Sequence, residues 1–373
     1  ADATGLLAKR YAVAEHEPQG AALELPPIPQ HDLEDWIALI EHDPVLSGNP
    51  RLADDLVNLL QLADERERLR VINTGQGKGL IAVRSTIPAA LRHVAILDAS
   101  TPIRELVKLD ETVHNVELPK PLKTYENVQV FQRLTAGGRS SLRGNYRPAQ
   151  LAQEVADIVH TELPDDPARS FLIFTFKDRG NDKPTGRIRA QLERQGIDLD
   201  SRNAEGKLRF EFLTWGQQEG LNGYAHCNTV ILAGVLTRDQ ISIAAAIKGQ
   251  AGDPRRDTPE VEIQKMIASE VGHCVYQAAS RGSCRVAQDG KAQSMHLHIL
   301  HANANLKGLL DPVMPSAVWN YPSPKYLPPS KHIGKGIAML QLIREALASY
   351  PADRQKVSSQ ELKGHMGLDP KDS

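Results

Sequence analysis

Phe171-Leu-Ile-Phe-Thr-Phe176 is a short continuous apolar run closed by a charged loop, Lys177-Asp-Arg-Gly180, and it decides the fold. A run this short that does not alternate with polar residues reads as a strand with both faces covered. Working outward, strand Val128 to Arg133 and helix Pro148 to Leu163 precede it, and helix Thr185 to Gln195 follows. The series continues with strands Leu208 to Thr214 and Thr229 to Ala233, helix Pro259 to Ser280 and strand Met295 to Leu300. Such alternation predicts an α/β fold, a parallel sheet flanked by helices on both faces.

Before this series, residues 31–68 read as helical. Leu33, Trp36, Ile37 and Ile40 share one face, and Leu52, Leu56, Leu59, Leu60 and Ala63 share another. Leu69 to Ile72 and Leu80 to Val83 predict a hairpin across the glycine segment Asn73 to Gly79. That segment is read as a turn. A phosphate loop needs a glycine separated by four residues from its Gly-Lys and a hydroxyl residue after the lysine, and Ile72 and Gly79 stand there. Val94 to Thr101 reads as a buried strand ending in small hydroxyl residues. After the series, Pro312 to Pro329 reads as a linker, and Ile337, Leu340, Ile343 and Leu347 make one face of a short helical tail.

Lys and Arg number 44 and Asp and Glu 46, a net charge of -2, so any attraction to nucleic acid must come from local basic tracts. Three irregularly spaced cysteines favour a reducing cytoplasm and read as small buried residues. No apolar run is long enough to cross a bilayer. The chain does not begin with Met and shows no secretion leader.

Chemistry concentrates in Val275-Tyr-Gln-Ala-Ala-Ser-Arg-Gly-Ser-Cys-Arg285, where Gln277, Arg281 and Arg285 recur every four residues among small neighbours. Guanidinium forks match phosphate oxygens, and Gly282 lets another surface approach closely. Upstream, Thr214-Trp-Gly-Gln-Gln-Glu-Gly-Leu-Asn-Gly223 leads into Thr229-Val-Ile-Leu-Ala-Gly234. With the Phe171 strand, these elements resemble motifs IV, V and VI of a superfamily 2 helicase, and Asp98-Ala-Ser-Thr101 resembles motif III. The resemblance implies a RecA-like carboxy-terminal motor lobe at 102–308, a mostly helical tail of the first lobe at 1–101, and a linker with helical tail at 309–373.

It also implies roles. Arg281 and Arg285 would be arginine fingers on a nucleotide's terminal phosphate, with Gln277 orienting them or the attacking water. Gly220 and Asn222 would form the turn facing the nucleotide. The second arginine follows the first by four residues, where the family usually has three. The first lobe's phosphate loop and Asp-Glu box are missing from the sequence, so ATP and Mg would be held mainly by a first lobe in the same or another chain. The chain is then a carboxy-terminal piece or a subunit, and alone should hydrolyse ATP poorly. The alternative is a non-catalytic RecA-like scaffold or binding module.

Loops after parallel strands collect at one edge, where ligands bind. Basic residues mark two of them: Arg133, Arg139, Arg143 and Arg147, then Lys177, Arg179, Lys183, Arg187 and Arg189. Arg139, Arg143, Lys177 and Arg179, with the hydroxyls of Thr175 and Thr214, are the candidates for nucleic acid, with DNA expected and RNA the other candidate. Tyr146 and Trp215 are the best-placed aromatics for stacking. His296 and His298 share a strand face, but with His301, Cys274 and Cys284 they match no zinc spacing, and no metal is expected.

Overall fold

The computed structural model describes residues 30–48, 53, 57, 69–74, 77–82, 95–116, 123–142, 146–164, 166, 169–180, 182–217 and 222–329. In chain order the main elements are helix α1 (Gln30–His42), strands β1 (Leu69–Thr74) and β2 (Gly77–Ala82), β3 (Val128–Arg133), α2 (Tyr146–Glu162), β4 (Phe171–Thr175), α3 (Pro184–Arg194), β5 (Phe210–Thr214) and β6 (Thr229–Leu232). Then follow α4 (Gln240–Gln250), α5 (Glu260–Ala279), β7 (Met295–Leu300), α6 (Leu306–Leu310) and β8 (Val318–Asn320). Contacts group them into two compact units, 1–119 with 237–273, and 120–236 with 274–373.

In the first unit, β1 and β2 pair antiparallel from Leu69 opposite Ala82 to Thr74 opposite Gly77. The glycine segment is therefore largely strand, and Lys78 and Gly79 belong to the ladder. Ile81 packs with Leu106, Ile243, Ala244, Ile247, Ile263 and Met266. Helix α4, which the apolar run Ile241 to Ile247 conceals, starts where the Asp239 carboxylate accepts the Ser242 N–H at 2.8 Å. The expected strand at 94–101 is not formed. Ile96 is 81% and Leu97 100% exposed, and residues 95–98 pair with no strand among the described residues. An apolar run becomes a strand only where another supplies its ladder. Ser100 is buried instead, its hydroxyl bridging Asp98 Oδ1 at 2.5 Å and His273 Nδ1 at 2.7 Å. Residues 49–52 and 58–68, and the tail after 329, lie outside the described residues.

The second unit is α/β. Its six strands are all parallel in the order β8-β3-β7-β6-β4-β5. Phe171, Ile173 and Ile231 on one face meet Leu151, Val155, Ile158 and Val159 of α2 and Ile188 and Leu192 of α3. Gly282, just beyond α5, packs on Val230, one residue away from Ile231 and hence on the opposite face. Cys227 and Cys284 are fully buried, and burial pushes the Cys284 thiol up to about 12, so they act as small core residues.

The presumed linker is part of this unit. Val318 to Asn320 join the sheet beside β3, and the buried Glu154 carboxylate accepts the backbone N–H groups of Lys325, Tyr326 and Leu327 at 2.7–3.3 Å. Composition alone marked 312–329 as linker because proline cannot donate to a ladder; the donors here lie between the prolines.

Candidate functional site

The arginines converge, by a route other than a single helix. Helix α5 stops at Ala279, Gly282 is extended at φ -77 and ψ -169, and Ser283–Arg285 form a tight 3-10 turn. A Cβ on Gly282 would stand 2.6 Å from Val230 Cγ2 and 2.8 Å from Met295 Sδ. The close approach read from the sequence is thus made to the starts of β6 and β7 of the same unit. From there Arg285 donates to Asn222 Oδ1, Arg281 lies 3.5 Å from the same oxygen, and Gln277 Oε1 lies 3.5 Å from Arg281. Asn222, 59 and 63 residues away in sequence, is the point on which both guanidiniums close. Arg285 and Asn222 are exposed, and Arg281 and Gln277 half-buried. Gly220 lies outside the described residues.

A third cation stands beside them that no sequence pattern marks, since it lies 161 and 162 residues from the two carbonyls it meets. Lys123 Nζ donates to the Cys284 carbonyl at 2.7 Å and the Arg285 carbonyl at 3.3 Å. Burial, reinforced by the Arg285 charge, holds its pKa below the usual lysine value.

The basic loops lie at the other ends of the strands. Strands of four to six residues rising ~3.3 Å each separate the two ends by roughly 13–20 Å. After β4, Lys177 and Arg179 are exposed while Asp178 between them turns inward, accepting the Thr185 and Gly186 N–H groups at 2.9 and 3.1 Å. The start of α3 is therefore covered by its own carboxylate. Arg189, exposed, lies over the Phe212 ring at 4.6 Å. After β3, Arg139 is half-buried in a loop fixed by a backbone-to-backbone contact. A Cβ on Gly137 would stand 1.9 Å from the Leu300 carbonyl oxygen, and one on Gly234, at φ +87, would stand 2.5 Å from the Gly137 oxygen.

Two of the hydroxyl candidates are already engaged or hidden. Thr214 Oγ1 donates to Gln217 Oε1 at 2.8 Å. Thr175 is fully buried at the end of β4, so its hydroxyl cannot meet a strand from outside in this conformation. A continuous apolar strand such as β4 is buried on both faces, and its last residue shares that fate. Arg143 lies outside the described residues.

His296 and His298 do come together with an acid: Glu162 lies 2.7 Å from His296 Nδ1 and 2.8 Å from His298 Nε2, and it also pairs with Arg169. Arg169 Nη1 lies 2.8 Å from His296 Nδ1, so a guanidinium fills the space between these groups. Arg133 Nη1 points at His298 Nδ1 at 3.1 Å, and Arg133 Nε pairs with Glu154 at 3.1 Å. A guanidinium only donates, which makes Nδ1 of His298 the acceptor and its Nε2 the protonated nitrogen. A metal-bound histidine instead gives its second N–H to an acceptor. The chemistry is that of a buried ion-pair seam between α2 and the sheet.

Its two acids and two arginines balance. Burial alone would raise the Glu162 pKa, but hydrogen bonds from both histidines outweigh it and hold the carboxyl far below its ordinary range. Burial lowers His298 to about 4, only partly offset by Glu162.

No family model matches the chain, and no curated protein matches it. Among solved structures it is similar to S. cerevisiae Dbp5 bound to RNA and ADP BeF3, at 10% identity and a TM-score of 0.27 over 61% of this chain. The match spans 48% of that chain, about half its length. Similarity at this level assigns no function.

Proposed function

We propose that this chain supplies the second motor lobe of an ATP-dependent nucleic-acid helicase or translocase. The observation that carries the reading is the convergence of Arg281 and Arg285 on Asn222, with Gln277 against Arg281, which joins two distant sequence motifs in one cationic constellation. Phosphoryl transfer depends on positioning and charge neutralisation, and a fork of two guanidiniums offers both to a terminal phosphate. ATP and Mg would be held mainly by a first lobe in the same or another chain. The basic loops at the far strand ends would hold DNA or RNA, so nucleotide and strand meet different ends of one sheet. The lobe proposed is the second unit, 120–236 with 274–373, in place of 102–308, with Lys123 added to the nucleotide side.

The test restores a phosphate-loop-bearing first lobe and compares Arg281→Ala with the parent. Loss of a finger should cut the turnover number by roughly 10³ or more and leave ATP binding nearly unchanged. An unaltered turnover number would overturn the reading and favour the scaffold alternative.

A further inference from the structure

Trp215 follows β5 directly, at the end of the sheet that carries the basic loops. Its backbone N–H donates to the Thr175 carbonyl at 3.0 Å and its indole N–H to the Gly234 carbonyl at 3.2 Å. The ring packs at a tilt on Phe174, with centroids 5.4 Å apart at 34°, and against the core beside it. The polar atom of the indole is satisfied inward, yet the residue is only half-buried. Gly234 itself is locked against Gly137, so the ring hangs from the most tightly fixed backbone of this edge. A large, rigid, partly exposed aromatic costs little entropy to engage. In the paired strand β4, the chain continues past Thr175, the register partner of Thr214, to exposed Lys177 and Arg179.

We propose that the Trp215 indole is a stacking platform for an unpaired base, with Lys177 and Arg179 holding the adjoining phosphates, so that this edge selects single-stranded nucleic acid. The inference rests on the reading that this end of the sheet meets nucleic acid. Stacking needs an exposed base face, which a duplex hides, and any base satisfies it, which makes binding indifferent to sequence.

The experiment titrates the full chain with oligo(dT), oligo(U) and a duplex of equal length, following tryptophan emission and affinity at several salt concentrations. Trp215→Ala should weaken single-strand binding by roughly five- to 150-fold with little change in salt slope, because the ring touches no phosphate. Trp215→Phe should keep most of the affinity while losing the ligand-induced quenching. Lys177→Ala with Arg179→Ala should instead make the slope shallower. Salt-dependent binding with equal quenching in the parent and Trp215→Phe, or equal affinity for the duplex, would overturn the platform and leave the basic edge standing. No binding by the parent at low salt would overturn both.

Discussion

Gly137 and Gly234 show what one missing Cβ permits. At 1.9 Å from a carbonyl oxygen, the added atom at Gly137 has only backbone to displace, and Gly234 holds a left-handed φ besides. Gly137→Ala and Gly234→Ala should each cost at least about 2 kcal/mol, read as a fall in thermal midpoint. Gly282→Ala meets the flexible Met295 Sδ but also the stiff, buried Val230 Cγ2 and the Cys227 carbonyl oxygen at 3.0 Å, and a loss is expected there too. Gly137 and Gly282 stand close to basic and hydroxyl residues in the sequence, whereas Gly234 sits between Ala233 and Val235. That all three face their own unit was not legible, because that depends on which strands become neighbours.

At the level of elements, the ion-pair seam sets a pH dependence. His298 and His301 are both lowered by burial to about 4 from an ordinary 6.5. The unfolded chain therefore binds more protons between those values, and stability should fall as pH drops from about 6.5 towards 4. Glu162, lowered, adds a further loss as pH falls below its ordinary 4.5. Thermal midpoints across pH 4 to 8 should show a plateau only above about 6.5, and His301→Gln should soften the upper part of the fall. Within the seam, Arg133→Met leaves Glu154 buried against backbone donors alone and should cost about 3–5 kcal/mol. Adding Glu162→Gln to Arg169→Met should be milder than Arg169→Met alone; an additive double mutant would show that the pair does not act as a unit.

Strands β3 and β7 stand where the sequence pattern puts them, and helices α2, α3 and α5 agree to within two residues, because short buried runs and 3.6-residue periodicity are local properties. The seam is not local. His296 and His298 were visible as a same-face pair, but nothing near them announces Glu162 from α2 or Arg169 from before β4. The segment at 94–101 failed for the converse reason: its pattern is right for a strand, and no neighbour was specified. Of the candidate site, the arginine cluster was legible because its spacing survives the break at Gly282, whereas Thr175 and Lys123 depended on burial and on the fold.

For the whole molecule, a net charge of -2 means that any nucleic-acid affinity must come from local basic tracts, and the proposal places it at one edge. Log affinity should fall with log salt by about 0.7 per phosphate contact on single strands, and Arg139→Ala should shallow that slope. The same slope in parent and variant would remove Arg139 from the contact. By itself the chain should turn over little ATP, and robust magnesium-dependent hydrolysis would contradict the two-lobe reading.

The Glu154 clamp carries a rule about permitted change. In Pro322-Ser-Pro324-Lys325-Tyr326-Leu327-Pro328-Pro329, the three consecutive residues that are not proline are the three whose N–H groups the carboxylate holds. The grip is on main chain and is blind to side chains. Substitution at Lys325 or Tyr326 should pass almost unnoticed, save for one amino acid, since proline alone has nothing to offer the acid. Glu154 itself tolerates no such freedom, and a neutral replacement there would release a whole segment.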